Sequence, residues 1–287
     1  MEILCVTFIR AALRSALALL GFSRRCVQGA IARLRLRLAL VAALTFIVCS
    51  SPRVHGTEHH FTFTYEVTTA DKGELELENW VTWKLQRGRD GAPNTHEFDF
   101  RHEFEYGITD RLQASLYFAD WHINDHPGGD DRVHYDGAAL EVIYRLSSPV
   151  TDFLGTAVYG EIRGGPDLVE LEGKFLLQKN FGKWITAYNA VLEGSWVGEH
   201  LEEREGEFAQ TAGLSYEINP HFTVGAEALH EIDIPNWDKA EKSVVWAGPN
   251  ASVRVGHWYV TVTALARLSD NRDEPHVQTR LITGFEF

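Results

Sequence analysis

The segment Glu97-Phe-Asp-Phe-Arg-His-Glu-Phe-Glu-Tyr106 alternates without a break. Phe98, Phe100, His102, Phe104 and Tyr106 fall on one face, and Glu97, Asp99, Arg101, Glu103 and Glu105 on the other. Successive side chains of a strand point to opposite faces, so this strand has one apolar side and one charged side. The pattern recurs along the chain. Leu75, Leu77, Val81, Trp83 and Leu85 oppose Glu74, Glu76, Glu78 and Lys84. Leu140, Val142, Tyr144 and Leu146 oppose Glu141 and Arg145. After residue 56 no stretch is apolar for the 18 or so residues a membrane helix needs. A chain built this way is all-β, with one greasy and one wet surface.

Strand-like runs lie near 74–86, 96–106, 111–122, 135–146, 153–163, 169–179, 184–197, 206–218, 222–233, 244–254, 257–268 and 276–287. Their connections alternate in length. Short turns such as Gly107–Asp110, Asn180–Lys183, Asn219–His221 and Val255–Gly256 take turns with longer polar loops at 86–95, 123–134, 198–205, 234–242 and 269–275. Gly164–Leu168 is the short exception. Short turns at one end and long loops at the other describe an antiparallel transmembrane β-barrel of about twelve strands, at 74–287. Aromatics near the expected strand ends fit two interfacial girdles: Trp184, Phe222, Trp258, Phe285 and Phe287 at one end, Trp121 and Trp196 at the other. The run Phe61–Val67 also alternates, but counting it would make an odd number of strands. Residues 57–73 are therefore expected to be an arm, periplasmic or entering the lumen.

The first 56 residues are different in kind. The apolar run Leu38–Val48 follows Arg33, Arg35 and Arg37 and precedes a Val54-His-Gly56 cleavage pattern, which reads as a signal sequence cut near Gly56. A basic, apolar stretch upstream of it, with Met1 the only methionine, points to an over-extended start and initiation near Val27 or Leu34. All three cysteines lie in this presequence, so the remainder has neither disulfides nor cysteine metal sites. The presequence holds eight of the 27 basic and one of the 40 acidic residues, leaving 19 and 39, a formal charge of −20. That balance excludes nucleic acid, whose phosphates need Lys and Arg, and suits a lumen that attracts cations.

The charged face is the main place for function. Glu76, Glu78, Glu97, Asp99, Arg101, Glu103, Glu105, Arg111, Glu141, Arg145, Glu172 and Lys174 are expected to line the lumen, together with Glu74, Glu170, Glu193, Arg267 and Arg280. They fit two arrangements, a pore lining that selects cations or a salt-bridged filling of side chains. A weaker candidate is a metal site in the 123–134 loop region from His122, His126 and His134, whose imidazoles with nearby carboxylates suit zinc, copper or nickel. No cofactor is called for. No Gly-x-Ser-x-Gly, His-Glu-x-x-His or His-x-Ser occurs after residue 56, so the chain is not expected to be an enzyme, and an outer-membrane hydrolase is the less favoured reading.

Glu78–Trp83, Phe98–Gln113, Tyr144–Asp152 and Leu171–Gly182 resemble an uncharacterised family of Gram-negative outer-membrane β-barrels, over roughly Thr57 to Phe287. The resemblance implies a porin-like barrel or small-solute transporter, and no established site residues come with it. Phe285 and Phe287 look like the C-terminal signal read by the barrel-assembly machinery. Expected partners are thus that machinery, outer-membrane lipid and lipopolysaccharide, and small solutes or cations. The alternative is a closed structural or adhesive barrel that binds ions or a partner through its acidic external loops.

Overall fold

Strict alternation carries the chain through twelve strands: β1 (Leu75–Gln86), β2 (Thr95–Thr109), β3 (Leu112–Asp125), β4 (Val133–Ser147), β5 (Gly155–Gly164), β6 (Leu168–Phe181), β7 (Trp184–Val197), β8 (Glu203–Asn219), β9 (Phe222–Pro235), β10 (Val244–Val255), β11 (Trp258–Arg267) and β12 (Val277–Glu286). The structure, a computed structural model, describes residues 59–88, 92–125, 133–271 and 274–287. The presequence, the cleavage region at Gly56 and His126 lie outside them. Each strand pairs antiparallel with its chain neighbours, and β12 closes onto β1 with Leu77 opposite Phe285 and Val81 opposite Leu281. Closure leaves no strand edge unpaired, which a sheet in hydrocarbon requires. No helix among the described residues is long and apolar enough to cross a membrane.

The pleat sorts the side chains cleanly. In β11 Tyr259, Thr261, Thr263 and Leu265 are buried while Val260 and Val262 between them are exposed. Leu116, Leu140, Val142, Leu171, Leu192 and Leu214 join the exposed apolar band around the outside. So large a band is costly in water and matches a hydrocarbon solvent. Aromatics gather at its margins. Trp258 packs on Phe285 at 4.6 Å and Phe285 on Phe287 at 4.9 Å at one end, with Trp196 against Trp237 at 5.2 Å at the other.

The tight turns use glycine where the backbone demands it. Gly182 and Gly256, each at φ +62°, open the two-residue connections β6–β7 and β10–β11, where a positive φ matches the twist of the flanking strands. Observed strand ends agree with the expected ones to within a few residues. The ends of β2 and β3 and the start of β8 each extend three residues further, and at β8 Glu203 and Glu205 stay in register with Val197 of β7 and Pro235 of β9 respectively.

Residues 59–73 join no ladder. Residues 59–70 lie inside the barrel and the hydrophobic core forms around them, with Asp71, Lys72 and Gly73 exposed at the barrel's end. Phe63 packs with Leu229, Val244, Trp246 and Leu265, Val67 with Ile143, Ala157, Tyr159 and Leu176, and Phe61 with Ile185 and Ala187. Tyr65 packs against the fourth cluster, Trp80, Tyr259 and Ile282. The alternation of Phe61–Val67 thus serves an arm surrounded by wall on every side, where both sets of side chains are covered.

Candidate functional site

The arm enters at the short-turn end, where Gly73 donates to the Gly107 carbonyl at 2.7 Å. It then sweeps around the inner wall. The Ala70 amide donates to Gln113 on β3 and the Val67 amide to Gln178 on β6, both at 2.7 Å. At β7, Asn189 accepts from the Tyr65 amide and donates to the Tyr65 carbonyl. On β9 the Glu227 carboxylate accepts three consecutive amides, from Thr62, Phe63 and Thr64, at 2.8–2.9 Å, and the Thr263 hydroxyl as well. Asn250 on β10 donates to the His60 carbonyl, and Ser252 and Thr261 donate to that of His59. Buried backbone groups need partners, and here wall side chains supply them. Gly213 on β8 makes the fit possible, because a Cβ there would sit 2.6 Å from the Phe61 ring.

The Tyr65 side chain reaches across the lumen. Its hydroxyl lies 3.1 Å from that of Tyr117 on β3, and its ring meets Tyr159 on β5 edge-on at 5.0 Å. Lys174 sits over Tyr65 and Tyr159, at 3.8 and 4.1 Å, and Arg101 over Tyr117 at 4.5 Å. Ammonium and guanidinium groups over ring faces gain cation–π attraction while staying available to carboxylates. Together arm and aromatics fill the half of the interior nearer the short turns. At the arm's start His59 stacks on Tyr259 at 4.8 Å, and burial, with Arg254 and His60 acting in the same direction, pushes its imidazole down to about 3.

Toward the long loops the interior is open. A cavity of about 470 Å³ lies above Phe63 and Tyr65 and reaches the β11–β12 loop at Glu274 and Pro275. A neighbouring cavity of about 310 Å³ shares Trp80, Lys84, Arg101, Arg163 and Arg280 with it. The larger volume is in the range of small-molecule sites, roughly 300–1,000 Å³. Its basic residues Lys84, Arg101, Arg163, Lys174 and Arg280 lie on β1, β2, β5, β6 and β12, with Glu170 and Glu172 of β6 among them, whereas on β7, β8 and β9 the charged lining is acidic alone: Glu193, Glu207, Glu231 and Asp233.

The register turns the acidic side into a belt. Glu141 is paired with Glu161, Glu161 with Glu172, Glu172 with Glu193, Glu193 with Glu207, and Glu207 with Asp233, one carboxylate on each strand from β4 to β9. Like charges directly opposite one another destabilise a sheet. Part of the belt is compensated: Tyr117 and Tyr159 donate to Glu141 and Glu161, Arg163 pairs with Glu161 at 3.0 Å, and Lys174 pairs with Glu172 at 2.9 Å. Glu193, Glu207 and Asp233 form no ion pair among the described residues and face the cavity.

The expected lumen residues fall into four groups. Glu76, Glu78, Glu103, Glu105 and Glu141 are almost fully buried in the arm-filled half. Glu97 and Asp99 hold Lys84 at 2.7 and 2.9 Å higher up, Arg101 holds Asp120 at 3.1 Å, and Glu172 and Lys174 belong to the belt. Arg111 sits exposed in the β2–β3 turn. Arg145 donates to the Asp110 carbonyl in that same turn, so these two sit at the rim rather than in the lumen. The His122 and His134 rings stack at 5.0 Å and His122 Nδ1 is 2.7 Å from Asp136; His126, the third member of that candidate, lies outside the described residues. Arg163, Glu207, Glu227, Glu231 and Asp233 were not singled out by the sequence reading. The spacing of Glu227, Glu231 and Asp233 on one face of β9 is the signal that could have found three of them.

The family of unknown function DUF6662 matches residues 53–280. No protein of curated function matches the sequence. Among solved structures, the COG4313 outer-membrane channel from Pseudomonas putida F1 is similar, with a TM-score of 0.58 at 12% identity, covering 77% of this chain and 98% of that one. The NanC porin gives a TM-score of 0.48 at 11% identity, covering 74% and 98%. The KdgM porin, solved with disordered oligogalacturonate, gives 0.42 at 10%, covering 75% and 98%. At such identities the first likeness speaks to fold alone, that of a closed antiparallel outer-membrane barrel.

Proposed function

The chain belongs to this family of unknown function, and on that footing we propose that it is a porin-like channel of the outer membrane for small solutes, biased toward cations. The observation that carries this reading is the carboxylate belt, whose Glu193, Glu207 and Asp233 face the open cavity and form no ion pair among the described residues. A low-dielectric wall with one sign of charge raises the local concentration of the opposite ion, and rings of carboxylates are a recurrent source of cation selectivity. The basic cluster across the cavity gives a solute two kinds of anchor. A presequence cleaved near Gly56 delivers the chain to the cell envelope, and Phe285 and Phe287 serve as its assembly signal, in an outer leaflet rich in lipopolysaccharide. No reaction is involved.

The arm gives the alternative, a closed barrel, a specific footing, because it fills the cross-section on the short-turn side. In the channel reading the arm is the gate, and passage requires it to shift. The test is single-channel recording of the refolded chain from Thr57 in a planar bilayer under a salt gradient. Wild type is expected to give small cation-selective steps. The double change Glu193→Gln with Glu207→Gln should lower the cation-to-anion permeability ratio roughly two-fold or more. Unchanged reversal potentials would remove the belt from the conduction path.

A further inference from the structure

Below the arm, β1 and β2 place four carboxylates in a square. Glu76 is paired with Glu105 and Glu78 with Glu103, all facing inward. None is more than 4% exposed. Oxygens of Glu78, Glu103 and Glu105 all lie within 4.8 Å of one another, and so do ligand atoms of His59, Glu76 and Glu105. Glu78 is oriented by the Trp80 indole, donating at 2.6 Å, and by the Tyr259 hydroxyl, while His59 Nε2 of the arm comes within 3.2 Å of it.

Glu103 separates this cluster from an ordinary acidic patch. It is fully buried, it points into the square, and neither of its oxygens is in hydrogen-bond geometry with a donor, the neighbouring Ser115 hydroxyl being directed to Glu141 at 3.3 Å; Glu105 Oε2 accepts none either. Neither residue is ion-paired with a lysine or arginine among the described residues, and the nearby Arg101 is taken by Asp120. Buried carboxylates without donors, set side by side, are costly unless protons or a cation neutralise them, and a cation bridging three of them does so at once. We propose that Glu78, Glu103 and Glu105 hold one hard divalent cation, of the Ca²⁺ or Mn²⁺ kind, with Glu76 and the arm's His59 completing the site. Oxygen-rich donor sets suit such ions, and the imidazole is compatible with Mn²⁺. The cation would join the arm to β1 and β2, acting as a clasp on the arm. The site stands whether or not the barrel conducts.

The test is metal binding by the refolded chain from Thr57, stripped with chelator, using the electron paramagnetic resonance signal of Mn²⁺ and competition by Ca²⁺. About one Mn²⁺ per chain is expected. Affinity should fall at least about ten-fold in Glu103→Gln and a few-fold in His59→Gln, and stay unchanged in Glu97→Gln, which lies on the same strand face outside the square. Heat-modifiable gel migration reports that each variant is folded. Melting gives a second readout: Ca²⁺ should raise the wild-type midpoint and leave that of Glu103→Gln where it was. Absence of millimolar-or-better binding in wild type would overturn the proposal, as would equal affinity in Glu103→Gln, which means ions adsorbed on the acidic loops only. Unchanged affinity in His59→Gln would overturn the arm's part in it.

Discussion

The two halves of the interior are built on the same alternation and end in opposite states. On the short-turn side, polar wall residues are matched to a guest: Gln113, Gln178, Asn189 and Glu227 accept arm amides, and Asn189, Asn250, Ser252 and Thr261 donate to its carbonyls. On the long-loop side Glu193, Glu207 and Asp233 face one another across neighbouring strands with no ion pair among the described residues. In the first half the arm's main chain is satisfied at the cost of filling the space, and the unpartnered acids Glu103 and Glu105 are the exception. The second tolerates repulsion and stays open. An inward polar residue therefore says little by itself; what it faces decides whether it seals or attracts.

The largest break in this contrast should come from Glu227→Leu. It orphans three buried amide donors at once, which costs roughly 3–5 kcal/mol. Hydrogen exchange at the Thr62–Val67 amides should accelerate strongly and channel conductance should rise; a variant with an exposed arm that stays silent would favour the closed-barrel reading. Gly213→Val attacks the same half by shape alone. Its side chain enters the space of the Phe61 ring and should cost about 1–3 kcal/mol, with faster exchange confined to the first residues of the arm. Smallest is Lys84→Gln in the open half. Its pairs with Glu97 and Asp99 are about a third exposed, so the loss should stay at or below about 1 kcal/mol in denaturant melts. A loss as large as that of Glu227→Leu would mean that the two halves do not differ as described.

Much of the architecture was legible because period-two alternation and glycine-bearing turns are local properties. β2, β7 and β11 could be placed from their own residues, and the short and long connections fixed their directions. The belt was not legible in the same way. Each of Glu141, Glu161, Glu172, Glu193, Glu207 and Asp233 is one inward carboxylate on its own strand, and only register lines them up. Arg111 and Arg145 have the right parity for the lumen but lie where the barrel ends, so height along the wall overrides face. Parity of strand number set Phe61–Val67 apart from the twelve strands, yet nothing local says that such a run will be wrapped by Glu227 and Asn189, more than a hundred residues away. Glu103 was visible as an inward acid, whereas its lack of donors depends on β1, β3 and the arm together.

The wall grips the arm mostly by its main chain. Thr62, Phe63, Thr64, Tyr65, Val67 and Ala70 are held through their amides, a group that any residue except proline would offer. Mutation is then felt unequally by the two sides of the contact. Most substitutions in the arm leave those bonds intact, provided the space left by Gly213 and the apolar clusters is respected. A change at Glu227, Asn189 or Gln178 has no such freedom. Over evolutionary time the arm is free to drift in sequence while its binding surface stays fixed, so relatives that keep these wall residues would inherit the plug even where their arms no longer look alike.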